Sequence, residues 1–149
     1  RFSIAAVFWK SGQTKVEGFA IDLVERQFTL GVPQLSESAV ALFQDEYKLP
    51  LLATGIAASL AALAEHALPV LILLGLGTRF SALGLLVMTL VIQLFVIPGG
   101  WPEHLLWFAL LGLIVARGPG AISLDHLIWN RTSAWPRHGA MRSLTSDVK

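Results

Sequence analysis

The chain has 149 residues, of which 54% are hydrophobic and only 14% are charged, against roughly 25% charged in an ordinary soluble domain. With a mean hydropathy of +0.65 and so few charges, it could not cover a water-facing surface, and the lipid bilayer is the better solvent. The net charge of +1 offers no basic face for nucleic acid, and the absence of cysteine excludes disulfides, thiolate metal sites and intrinsic thiol redox chemistry.

In chain order, the stretch from Arg1 to about Gly12, within which "FWKSGQTK" begins, reads as a membrane helix with a shortened first turn and not as a cleavable signal peptide. The connection from Gln13 to Lys48 follows and holds most of the acidic residues: Glu17, Asp22, Glu25, Glu37, Asp45 and Glu46. Within it, Ser36 or Ser38 stands as a cap ahead of Val40, Leu42 and Phe43, the pattern of a short amphipathic helix on the membrane surface. A spanning helix needs about 20 mostly apolar residues. Three clear candidates follow: Leu49 to Leu76, interrupted by Glu65-His66 and Pro69; Phe80 to Ile97; and Trp101 or Pro102 to Ala116, ending at the stop signal "RGPG". The turns "GLGT" and "PGGW" between them are tight and join antiparallel neighbours. The expected fold is therefore all-α: an integral membrane up-down four-helix bundle with a short surface helix in the first loop. Residues 1–128 form the membrane domain and 129–149 a polar cytoplasmic tail, its helix capped by Ser123. Arg1, Arg79, Arg117, Arg131, Arg137, Arg142 and Lys149 share one side; Lys15, Arg26 and Lys48, diluted by acids, share the other. That bias puts both termini in the cytoplasm, with the long loop and the 98–101 turn outside.

In this topology the polar groups of the spans converge at the outer end: Lys10, Ser11, Gln13 and Lys15 on the first helix, Gln93 on the third, and Glu103 and His104 beside Trp101 and Trp107 on the fourth. Glu65 lies near or beyond mid-membrane, about 22 Å along its helix. It reads either as a proton acceptor, metal, cofactor or quinone-pocket residue, or as a structural carboxylate paired with Lys10 or protonated against a neighbouring helix; ionisable groups at such depth are costly. Pro69, four residues on, removes the helical partner of the Glu65 carbonyl and could open a small polar cavity by kinking the helix. His104 is either a ligand to a metal, haem or quinone, or an aromatic-belt residue. No second histidine follows at helical metal-pair spacing, so a metal site would have to combine His104, Glu65 and Glu103 from several helices. His66 points about 100° away from Glu65 and reads as a separately satisfied residue. Arg79, Arg117 and Asp125 fall at the inner end, where a salt bridge or a headgroup contact is expected. The small-residue face of Ala53, Ala57, Ala61 and Ala64 suits close helix packing. No phosphate-binding loop, nucleophile elbow or metal-spacing motif is present.

"FWKSGQTK" at 8–15, "LFQDEYKLP" at 42–50, "AEHALPVLILLGLGTRFSAL" at 64–83, "MTLVIQLFVIPGGWPEHLLW" at 88–107 and "GPGAISLDHLI" at 118–128 together resemble the DoxX family of small four-helix membrane proteins. Its opening, a helix ending Ser-Gly-x-x-Lys, corresponds to Ser11, Gly12 and Lys15; its second-helix glutamate to Glu65; its Gly-x-x-x-Arg turn to Gly75 and Arg79. The resemblance implies a bacterial inner membrane and an accessory or quinone-linked subunit of a membrane redox complex; it assigns no residue a role, and the polar cluster of the spans is what would place Glu65, Lys10, Lys15, His104 and Gln93 around the quinone. It also admits a copper-homeostasis component, or a non-catalytic subunit packed among other membrane proteins.

Overall fold

The computed structural model describes residues 1–22, 26–47 and 52–133, with side chains to Asn130. Helix α1 (Phe2–Gln13) buries Ile4, Ala5, Phe8 and Gly12, which recur at helical spacing along one face. It ends where the Lys15 N–H donates to the Gly12 carbonyl and the Thr14 hydroxyl turns back onto the Ser11 carbonyl.

The connection after α1 is not the simple loop with a surface helix that an all-α fold requires. Strands β1 (Val16–Asp22) and β2 (Gln27–Leu35) form an antiparallel two-stranded sheet, from Val16 opposite Leu35 to Asp22 opposite Gln27. Phe28, Leu30 and Val32 alternate along β2, the period of a strand. The hairpin is tied to the helices by side chains: the Trp9 indole donates to the Ile21 carbonyl at 3.0 Å, and the Ile21 N–H donates to Gln13 Oε1 at 2.7 Å. It then closes on its own starting point, with the Ser36 N–H donating to the Lys15 carbonyl at 2.9 Å.

Ser36 is the cap of the next helix: its hydroxyl accepts from the Ala39 N–H at 3.0 Å and starts α2 (Glu37–Leu42). A π-helical turn, Phe43–Tyr47, continues it. α1 and α2 thus lie in succession along α3 (Thr54–Leu74), with Gly12 abutting Glu65 and His66, and Phe43 packed on Ala57 and Ala58. Pro69 is buried inside α3 and does not end it. Gly75 does, in the left-handed conformation with φ 73°.

α4 (Thr78–Val91) follows at once and runs into a second π-helical turn, Ile92–Val96. α5 (Trp101–Arg117) returns, burying His104, Leu111 and Ile114, and α6 (Leu124–Ser133) closes the described chain. Residues 134–149, most of the expected tail, lie outside the described residues, as does Lys48. α3 packs against α1 and α4, α4 against α5, and α1 touches α5. Ile4, Phe8, Ile72, Ala82, Leu85 and Leu111 fill the space between them.

Leu63, Phe80, Val87, Leu94 and Leu106 point outward and are exposed. Two helices among the described residues are long and apolar enough to cross a membrane: α3, with 21 residues, and α4 through its π turn, with 19. α5 has 17, at the short end of what spans.

Candidate functional site

Small side chains make room between the helices. Ala57, Ala61 and Ala64 on α3 and Gly84 on α4 line a cavity of about 450 Å³, and both π-helical turns border it, the first through Phe43 and Tyr47 and the second through Ile92 and Val96. π-helical turns frequently mark functional positions, because the extra residue re-aims side chains. The cavity extends from Glu65 towards the start of α3. Pro69 is not among its lining residues.

One wall carries an ion pair. Lys15 Nζ lies 2.7 Å from Glu65 Oε2, and its remaining donors reach the Ser11 hydroxyl at 3.2 Å and the Ser11 carbonyl at 3.3 Å. Glu65 is 2% exposed, so each charge depends on the other to offset lost hydration. Gly12 permits the approach: a Cβ there would stand 2.9 Å from the His66 ring and 3.1 Å from Glu65 Cβ. The cation that meets Glu65 is therefore Lys15 and not Lys10, which is exposed on α1 outside the cavity.

His104 and Glu103 line the same cavity. Gln93, in the second π turn, donates through Nε2 to the Pro98 carbonyl at 2.6 Å, which turns its Oε1 towards His104 Nδ1 at 2.6 Å. Nδ1 then carries a proton and donates it to that amide oxygen. Trp107 packs on the ring, with centroids 5.0 Å apart. Lys15, Glu65, Glu103 and His104 all reach one cavity, with Gln93 behind His104 orienting it. Among the described residues no three His, Asp or Glu side chains are grouped to hold a metal ion.

Tyr47 also lines the cavity, a contribution that its position in a polar loop does not announce. His66 faces away from this site. Its Nδ1 donates to the Ala62 carbonyl at 2.7 Å and its Nε2 accepts from Gln13 Nε2 at 2.8 Å, while Trp9 and Phe19 pack on the ring. Its role is to anchor the hairpin.

At the far end of the helices, Asp125 on α6 accepts from the Gly77 N–H at 2.8 Å, the Thr78 N–H at 3.1 Å and the Thr78 hydroxyl at 3.0 Å. Desolvation opposes its ionisation, but these donors outweigh it and hold the carboxyl below its ordinary range. The Ser123 hydroxyl caps α6 by accepting from the His126 N–H at 3.1 Å. Of the partners expected for Arg79, the carboxylate of Asp125 is thus committed to the start of α4.

No curated protein and no solved structure matches the chain. The DoxX family profile does, over residues 1–98, a span that holds Lys15, Glu65 and Gln93 and stops short of Glu103 and His104. With two apolar helices long enough to cross a membrane and a family match over most of its length, the chain belongs to the DoxX family of membrane proteins.

Proposed function

We propose that the chain is a quinone-binding accessory subunit of a membrane redox complex, built as a four-helix membrane bundle in a bacterial inner membrane with both termini cytoplasmic. α1 with α2 forms the first span and α3, α4 and α5 the other three, giving a membrane domain over residues 1–128. The observation that carries the reading is the apolar cavity lined by both the Lys15–Glu65 pair and His104. Its volume of about 450 Å³ falls in the range of small-molecule sites, roughly 300–1,000 Å³.

The donor set fits a quinone head. Such a ring is flat and apolar with an oxygen at each end, and it needs few polar contacts. When bound it would supply two-electron, two-proton chemistry. The Lys15 ammonium is a donor for one oxygen, Glu65 fixes that ammonium, and His104 Nε2 accepts from a hydroxyl or, once protonated, donates to a carbonyl. Ala57, Ala61 and Trp107 exclude water from the ring. The metal reading draws less support, because His104, Glu65 and Glu103 do not group as a ligand set.

The test is a titration of the purified protein in detergent with decylubiquinone, followed by quenching of tryptophan fluorescence. Saturable quenching is expected. Loss of one charged or buried hydrogen bond in Glu65→Gln or His104→Ala should weaken it by about tenfold. A wild-type protein with no saturable binding, or variants that bind as it does, would sink the assignment.

A further inference from the structure

A second cleft opens at the other end of the helices, around the α3–α4 turn, with a volume of about 810 Å³. Arg79, in the first turn of α4, and Arg117, in the last turn of α5, both line it. The Arg79 guanidinium lies over the backbone at Gly118, where a Cβ would meet its Nε at 3.3 Å; φ of +78° there already favours glycine. Two like charges are thereby brought to one rim. Neither guanidinium makes an ion pair or a hydrogen bond among the described residues. The one carboxylate lining the cleft, Asp125, has its oxygens engaged by Gly77 and Thr78.

The rim has a second character. Phe80 is 84% exposed and Trp129 71% exposed, and both line the same cleft with Ile128. Exposed aromatic side chains beside arginines are a poor surface for water. They suit the boundary between headgroups and acyl chains, where tryptophan is enriched and arginine forks match phosphate oxygens in pairs. The cleft also sits directly after the apolar length of α3 and before that of α4, which is the depth of a headgroup if those helices cross the bilayer.

We propose that this cleft is a binding site for the phosphate headgroup of an anionic phospholipid, with Arg79 and Arg117 on the phosphate and Phe80 and Trp129 against the first carbons of its chains. The ligand chemistry is a phosphate diester; the attached apolar chain is what distinguishes the lipid from a soluble phosphate.

Native mass spectrometry of the delipidated full chain in detergent tests it, with dioleoyl phosphatidylglycerol or dioleoyl phosphatidylcholine added back. One phosphatidylglycerol per chain should be retained in preference to phosphatidylcholine. Arg79→Gln with Arg117→Gln should weaken retention by about tenfold. Arg26→Gln, an exposed cation on the hairpin turn, should leave it unchanged. Arg79→Lys with Arg117→Lys keeps the charge and loses the fork, so it should fall between. If the glutamine pair does not fold, the lysine pair decides, and retention equal to wild type overturns the proposal. Inorganic phosphate should not displace the lipid at equal concentration; displacement would make this a soluble-phosphate site and overturn the lipid assignment. Equal retention of both lipids, or retention unaffected by the glutamine pair, would overturn it as well.

Discussion

Lys15 and Glu65 occupy positions that neither could hold alone. Their side chains are 11% and 3% exposed and 2.7 Å apart, so removing one partner strands a charge that has already lost its water. Lys15→Ala is expected to cost about 3 kcal/mol of stability, measured as the unfolding midpoint of the detergent-solubilised protein. Lys15→Met combined with Glu65→Leu should recover most of that loss, because a matched apolar pair leaves no orphan, while abolishing quinone binding. A double variant no more stable than Lys15→Ala would show that the pair is needed for folding itself. Gly12 makes a related point with no charge involved. A methyl group there must displace the His66 ring or Glu65 Cβ, at 2.9 and 3.1 Å, and overpacking of this kind costs about 1–3 kcal/mol. Gly12→Ala should therefore lower both the unfolding midpoint and quinone affinity, although the new side chain touches no ligand. Unchanged affinity would mean that the ion pair tolerates a shift of its supporting helix.

Two elements are held in place by groups outside them. The start of α4 has no cap from its own Gly77 and borrows one from α6, through Asp125. Asp125→Asn keeps the shape and weakens the acceptor, for an expected loss of about 1 kcal/mol. The pH dependence follows from the direction of the shift. The carboxyl is held below its unfolded value of about 3.9, so the folded state binds fewer protons in this range. Its stabilisation is complete above that value and is lost as pH falls through the folded one. Wild-type and Asp125→Asn unfolding curves should therefore converge in acid and separate towards neutrality; a gap independent of pH would remove the charge from the explanation. At the other end of α4, the π turn presents Gln93 to both Pro98 and His104. The apolar sequence Phe80 to Ile97 announced a helix, and α4 with its π turn is that helix. The extra residue in its last turn was not legible, because π winding depends on tertiary contacts and not on local propensity. The same is true of Phe43–Tyr47, so nothing in the sequence marks Tyr47 as a cavity residue, whereas Glu65 and His104 are polar groups in apolar surroundings and Lys15 follows the end of an apolar helix.

Across the whole chain, membrane character, the three long apolar stretches and a serine cap at 36 or 38 could all be read from hydropathy and spacing, and the structure selects Ser36. The hairpin could not, although Phe28, Leu30 and Val32 alternate as a strand should. Gly31 and Pro33 interrupt that alternation, and the acidic content of the region reads as an exposed loop. The choice of Lys15 over Lys10 as the partner of Glu65 was equally hidden, since it depends on where α1 stops. Both facts have one origin. The hairpin leaves the helical path at Lys15 and returns to it at Ser36, whose N–H bonds the Lys15 carbonyl, so α1 and α2 lie along α3 as two successive pieces with a sheet inserted at the break. On this view the hairpin is dispensable for the cavity, to which it contributes none of the lining residues, and needed only to cover Trp9 and His66. Replacing residues 16–35 by a short glycine linker should lower the unfolding midpoint, because Gln13 and the Trp9 indole lose Ile21 and the His66 ring loses Phe19, yet leave decylubiquinone affinity within about threefold of wild type, the scale of less than one ordinary hydrogen bond. If affinity collapses while the helical circular-dichroism signal is retained, the hairpin is what holds Lys15 against Glu65, and the break between α1 and α2 is itself part of the site.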